Sequence, residues 1–243
     1  MCNSKSKPKY IRHYTNVGAL LGILDNGLWL SKPKMDWDDL NDYLTLTKYA
    51  EHKKKDVYVL CFCGELGSVH HWYYYGRSGG GLAFEDCYKN IKCTIKLNRE
   101  KFEQLLDKRG LKLQQVEYVL SNEERSKKKN TDTKTLDEVV DKWDKLPIVK
   151  RVEYKVEDEW RVIAIGKGKN ELTPPDSIDI KECVENVYIL LDECSSMYCL
   201  VKNLIISKFP WLEDKIDVNG VHKSRIWEYE VNHIINNKLS KLW

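Results

Sequence analysis

The sequence predicts an α+β domain, and three observations carry that expectation. The run D-V-Y-V-L-C-F-C (Asp56 to Cys63) is almost continuously apolar, the pattern of a strand covered on both faces. Other segments place apolar residues at helical spacing between capping residues and glycines. The two kinds of segment follow one another without the regular β-α alternation of a doubly wound sheet, and no heptad or longer repeat is present. A chain of 243 residues can bury a core of this kind. We read residues 1–243 as a single domain.

The elements follow in order. Tyr10 to Thr15 reads as a strand that turns at once into a helix. Thr15 or Asn16 caps that helix, Leu20, Leu21, Ile23 and Leu24 form its apolar face, and Gly27 ends it. Leu28-Trp29-Leu30-Ser31 reads as a short strand, and the apolar run ending at Cys63 as a buried one. His70-His71-Trp72-Tyr73-Tyr74-Tyr75-Gly76-Arg77 is too aromatic for a loop. Gly79-Gly80-Gly81 then enters a strand through Phe84, and N-I-K-C-T-I-K-L (Asn90 to Leu97) alternates as a half-exposed strand. Asn98 caps a short amphipathic helix that Gly110 closes, and Leu111 to Val119 returns as a strand. Residues 121–146 are highly charged and read as a partly helical surface insertion. Trp160 to Ile165 and Val184 to Asp192 are strands on either side of the Pro174-Pro175 break. Ser195 or Ser196 starts a helix through Leu200, Leu204 and Ile205. Trp227, Val231, Ile234, Ile235 and Leu239 mark a C-terminal helical segment at about 225–243.

Charge and cysteine usage narrow the class. Net charge is only +3, so composition does not announce nucleic-acid binding. Lysines nevertheless cluster at Lys53-Lys54-Lys55 and Lys127-Lys128-Lys129, as solvated loop charge or as a phosphate-contacting patch. No run approaches the roughly 18 apolar residues of a membrane span. The basic N-terminus lacks the apolar centre of a signal peptide, and eight scattered cysteines suit reduced thiols. A cytoplasmic protein without a membrane partner is the expectation. Cys61-x-Cys63 followed by His70-His71 resembles a zinc set only loosely, because the usual C-x-x-C spacing is missing. No metal is expected.

Three polar clusters can carry chemistry. His13 and Tyr14 stand at the end of the first strand, where a lone histidine is more often structural. Trp72 to Tyr75 precede a triple glycine, and consecutive tyrosines cannot all point inward, so at least one should line a cleft. Glu157-Asp158-Glu159-Trp160-Arg161 leads into a strand. If the strand pattern begins at Glu157, both glutamates project to one side, an arrangement suited to chemistry at a sugar carbon. The plainer reading of the third cluster is a charged strand entrance in which Arg161 pairs with an acid.

The order of these clusters resembles the His-Tyr-Glu layout of the ADP-ribosyltransferase superfamily. More closely, the chain is similar to a family of bacterial and phage proteins of unknown function. The matching elements are His13-Tyr14-Thr15, Leu28 through Ser31, Asn41-Asp42, Cys61-Phe62-Cys63, Trp72 through Tyr75, Gly80 through Phe84 and Glu157 through Arg161. The resemblance runs from Tyr10 to about Asp192. Asn41-Asp42 lacks the following Pro and Glu of the family turn, and Cys63 replaces a usual Ser.

The resemblance implies a split, bent β-sheet core with peripheral helices, holding NAD in the cleft as substrate. It implies that His13, with its neighbours Tyr14 and Thr15, contacts the cofactor. Tyr75 would stack on nicotinamide beside a wall of Tyr74 and Trp72. Arg12 would approach the pyrophosphate unless strand alternation turns it to solvent. Glu159 would stabilise the cation formed as nicotinamide leaves, and Glu157 would orient or deprotonate the acceptor. The implied activity is ADP-ribosyl transfer to a macromolecule, with DNA or RNA slightly favoured over protein through the lysine clusters. NAD hydrolysis, a non-catalytic nucleotide-binding module and a metal-dependent nuclease-like protein are the alternatives.

Overall fold

The computed structural model describes residues 7–35, 40–64, 88–121, 133–140, 143–166, 177–191 and 195–218. Among them, a mixed seven-stranded sheet with helices packed against it forms an α+β fold. In chain order the elements are β1 (Tyr10–Asn16), α1 (Val17–Asn26), α2 (Leu40–Lys53), β2 (Val57–Cys63), β3 (Lys92–Asn98) and α3 (Arg99–Asp107). After these come β4 (Leu113–Gln115), β5 (Glu117–Val119), α4 (Leu136–Val140), β6 (Val149–Arg151), β7 (Glu159–Ile165), β8 (Val184–Ile189), α5 (Ser196–Lys208) and β9 (Ile216–Val218). The sheet order is β4-β7-β2-β1-β3-β8-β9, antiparallel except for β8 beside β9, and β5 and β6 form a separate parallel pair.

Local chemistry places several of these boundaries. The Asn16 side chain accepts a hydrogen bond from the Ala19 N–H at 2.8 Å, so the strand-to-helix switch falls where a capping residue stands. Gly27 ends α1 at φ +83°, and a Cβ there would meet the Ile178 carbonyl at 2.8 Å. Asn98 caps α3 and Ser195 caps α5 in the same manner. Alternation along the central strands then sorts side chains between two cores. Ile11, Leu60, Phe62, Ile95, Leu97, Trp160 and Val162 face one side, where Leu20, Phe102, Leu106, Val201 and Ile205 of the helices cover them. Val57, Val59 and Ile163 face the other side, against Leu46 and Tyr49 of α2.

Four expectations are corrected. Leu28 to Ser31 is not a strand but contributes two isolated bridges, Leu28 with Ile178 and Ser31 with Val59. Leu111 to Val119 divides at Val116, whose N–H donates to the Glu159 carbonyl, so its two halves join different sheets. Asn41-Asp42 is the first turn of α2 rather than a loop turn. Glu157 does not lie on the strand of Glu159. It ends a 3-10 segment, Val152–Glu157, and Asp158 then takes a left-handed conformation at φ +43° that starts β7 afresh. Within 121–146, the described stretches include α4 and the start of a 3-10 turn, Trp143–Ile148. The stretch 225–243 lies outside the described residues.

Candidate functional site

The central sheet parts between β1 and β2. Every residue of β2 pairs with β7, from Val57 opposite Ile165 to Cys63 opposite Glu159. Every residue of β1 likewise pairs with β3. Between β1 and β2, however, the register holds a single partner pair, Arg12 with Cys63. An unbroken antiparallel ladder would set Tyr14 against Cys61 two residues further on. Instead, His13 Nδ1 lies 3.0 Å from the Cys61 carbonyl, and Ser31 exchanges backbone hydrogen bonds with Val59. A side chain thus does the work of a ladder bond where the strands diverge.

This contact assigns the His13 proton. A carbonyl only accepts, so Nδ1 carries the hydrogen and Nε2 of the neutral ring is an acceptor. Burial lowers the imidazole pKa below its ordinary 6.5, outweighing the upward pull of the Cys61 contact. The ring meets Phe62 edge to face at 5.7 Å. Beside it lies a pocket of about 330 Å³ whose lining includes His13, Thr15, Ile23, Trp29, Ser31 and Cys61. That volume is at the small end of the range for ligand pockets.

On the opposite face, charged residues gather under α2. Cross-strand partners share a face, so Arg12, Cys63 and Glu159 form one row across β1, β2 and β7. Arg161 and Cys61 form the next row. Arg161 is fully buried. Its Nη1 and Nη2 each lie 2.8 Å from an oxygen of Asp42, its Nε is 2.7 Å from Glu159 Oε1, and Nη1 also donates to the Pro147 carbonyl. Lys150, from β6, places Nζ 2.7 Å from Glu157 Oε2 and 3.2 Å from Glu159 Oε2. Its ammonium also stands 4.6 Å from the centre of the Tyr154 ring. Glu157 and Glu159 are both about 3% exposed. The two acids meet at Lys150 despite lying on different elements, because the left-handed Asp158 swings the chain between them.

The electrostatics follow from this packing. Burial alone would raise the Glu159 carboxyl, but Arg161 and Lys150, with hydrogen bonds from Arg161 and the Cys61 thiol, hold it at about 2. Glu159 is therefore ionised at any physiological pH. Burial and the Glu159 charge push the Cys61 and Cys63 thiols well up, so both remain protonated. Burial raises the Tyr14 phenol, with the nearby Cys63 adding to the effect.

The predicted site residues therefore fall into three sets. His13 and Thr15 line the pocket on one face. Arg12, Tyr14 and Glu159 share the other, and Glu157 joins Glu159 through Lys150. Arg12 is half-buried, with its guanidinium 5.0 Å from the Tyr188 ring centre. Trp72 and Tyr75 lie outside the described residues, as do Tyr74, Gly80 to Phe84, His70, His71 and Lys127 to Lys129. Of the other lysine cluster, Lys53 is 2.6 Å from Asp144, while Lys54 and Lys55 are exposed. Among the described residues, no group of three His, Cys, Asp or Glu side chains could hold a metal ion, and no helix is long and apolar enough to cross a membrane.

Two members of the cluster, Asp42 and Lys150, had no predicted role. A signal for Asp42 does exist. Asp42, Leu46 and Tyr49 are the buried residues of α2 and stand at i, i+4 and i+7, so an acid occupies one place of an inward stripe. Lys150 sits in a three-residue strand too short to show a pattern. No family model matches the chain, and no curated protein matches it.

Proposed function

We propose that the chain is an NAD-dependent ADP-ribosyltransferase that works where β1 and β2 part. The observation that carries this reading is the row Arg12–Cys63–Glu159 at the parting, with His13 reaching across the gap beside a pocket. In the reaction the bond between ribose C1′ and the nicotinamide nitrogen breaks, and its electron pair leaves with nicotinamide. A nucleophilic atom of the acceptor then bonds to C1′ and gives up its proton. A carboxylate that stays ionised, as Glu159 does, opposes the positive charge that builds on the sugar in the transition state. Glu157 is the acid assigned to the acceptor's proton. Arg12 is the cation on the Glu159 face suited to the pyrophosphate, and Tyr75 and Trp72 are assigned to the nicotinamide wall. A nucleic-acid acceptor is favoured slightly over protein, with the exposed Lys54 and Lys55 as phosphate contacts. A cytoplasmic setting fits this reading.

A second reading is a non-catalytic nucleotide-binding module. It is favoured by one specific observation: both Glu159 oxygens are already engaged by Arg161 and Lys150. NAD labelled in its adenylate half, incubated with separate pools of DNA, RNA and protein, distinguishes the two. Transfer predicts label in one pool and free nicotinamide, both lost in Glu159→Gln while NAD still binds. Nicotinamide release without any labelled pool makes the protein an NAD hydrolase. NAD binding with no release in any mixture leaves the binding module, and absence of binding rejects both readings.

A further inference from the structure

We propose that Lys150 is a positioning residue for the two glutamates, holding Glu157 and Glu159 together across its side-chain amine. This rests on the functional reading above for its consequence, while its physical content stands on geometry. Glu157 and Glu159 come from different elements, a 3-10 turn and a strand, and no backbone ladder joins them. Lys150 is the group both touch, at 2.7 and 3.2 Å, and its own side chain is only about 5% exposed.

Arg161 cannot take over this task. Its fork is spent on Asp42 and on Glu159, with the remaining donor contact on a carbonyl. The groups around the pair are Asp42 from α2, Cys61 and Cys63 from β2, Tyr118 from β5, Tyr154 from the 3-10 turn and Arg161 from β7. The two thiols and the Tyr118 phenol are neutral, so three acidic side chains, Asp42, Glu157 and Glu159, share two basic ones, Lys150 and Arg161. Burial works against the Lys150 charge, but Glu159 and Glu157 outweigh it and keep the ammonium protonated.

Removing that cation leaves three buried acidic side chains with one guanidinium. Glu159 loses one of the two cations that hold its carboxyl down and takes up a proton at a higher pH. In the reaction this subtracts charge from the place where a sugar cation must be stabilised. It also frees the second acid from its fixed distance to the first.

The test uses the full chain with 13C-labelled glutamate side chains, titrated by NMR without NAD. In Lys150→Met, the Glu159 carboxyl signal should titrate at least one pH unit higher than in the native protein, and Lys150→Arg should restore it. Unchanged titration in Lys150→Met overturns the proposal. Should Lys150→Met fail to fold, Glu157→Gln serves instead. Lys150 is then devoted to Glu159, whose signal should titrate at the native pH or lower; a rise overturns the proposal.

Nicotinamide release supplies the second readout. In Lys150→Met the acidic limb of the rate profile should move to higher pH by as many units as the Glu159 carboxyl titration does. A shifted carboxyl titration with an unshifted rate profile overturns the positioning role. If the native protein releases no nicotinamide at all, the functional reading fails by itself and the NMR titration still decides the role of Lys150.

Discussion

Replacing Arg161 with methionine tests the charge cluster directly. Arg161 is completely buried and donates five hydrogen bonds, to Asp42, Glu159 and the Pro147 carbonyl. Methionine fills much of its volume and satisfies none of those acceptors. Removing one side of a buried ion pair costs about 3–5 kcal/mol, because the partner is left as an uncompensated charge. Here two carboxylates lose their cation, so about 4 kcal/mol at pH 7 is the expected loss. For a domain of this size that lowers the melting temperature by on the order of 10 °C. The loss should also depend on pH. In the native protein Glu159 is held at about 2 against roughly 4.3 in an unfolded chain. Its contribution is complete above the unfolded value and fades as the pH falls toward 2, an effect of about 3 kcal/mol in all. In the variant the orphaned acids bind protons more tightly folded than unfolded, so acidification helps it. Burial already pushes the Asp42 carboxyl upward even opposite Arg161. The two stability curves should therefore converge between pH 7 and pH 4. Urea unfolding followed by tryptophan fluorescence measures this, with Trp160 buried in the adjoining strand position. A loss below about 1 kcal/mol at pH 7, or one that stays constant with pH, would refute the reasoning.

Two further outcomes follow from the parting of the sheet and the start of β7. His13→Ala leaves the Cys61 carbonyl without its side-chain donor and should cost about 1–3 kcal/mol, whereas His13→Gln keeps an N–H within reach and should recover part of it; equal urea midpoints for the two variants would count against the contact. The His13 ring protons should titrate with a midpoint below 6.5 by NMR, and a higher midpoint would contradict its burial. Gly64→Ala would drive a Cβ into Asp158 Oδ2, on a residue that Gln115 holds at 3.1 Å. A loss of about 1–3 kcal/mol is expected, and the double variant with Asp158→Gly should regain most of it, since glycine accepts the left-handed backbone there. No recovery in thermal melts would show that the clash is not with Asp158.

How far the fold was legible depended on whether the deciding contacts were local. Asn16, Asn98, Ser195 and Gly27 act within a few residues of themselves, and the helix ends they mark are where the sequence puts them. The apolar run of β2 likewise carries its own signal, because it is covered on both faces. The break at Val116 is a different case: its N–H goes to Glu159, more than forty residues away, and nothing nearby in the sequence records that. The bridging role of Leu28 and Ser31 also depends on distant partners, Ile178 and Val59. At the site, Glu157 and Glu159 were visible as a pair, but their meeting point was not. It requires the left-handed Asp158 and a lysine from another strand, and an Asp residue with positive φ leaves no periodicity to read. The face shared by Arg12 and Glu159 follows from one register pair between β1 and β2, which alternation along a single strand cannot supply.

The buried charges also constrain how this sequence can change over generations. Asp42, Lys150, Glu157, Glu159 and Arg161 come from four structural elements, yet each touches at least one other within about 3 Å. Loss of any single charge strands another in a low-dielectric interior, at about 3–5 kcal/mol a large share of the roughly 5–15 kcal/mol by which a typical protein is stable. Neutral drift at these positions therefore has to proceed by paired exchanges, such as an acid and its cation giving way together to apolar residues. In any set of descendants the five positions should vary in concert or stand still, even if the surrounding loops diverge beyond recognition.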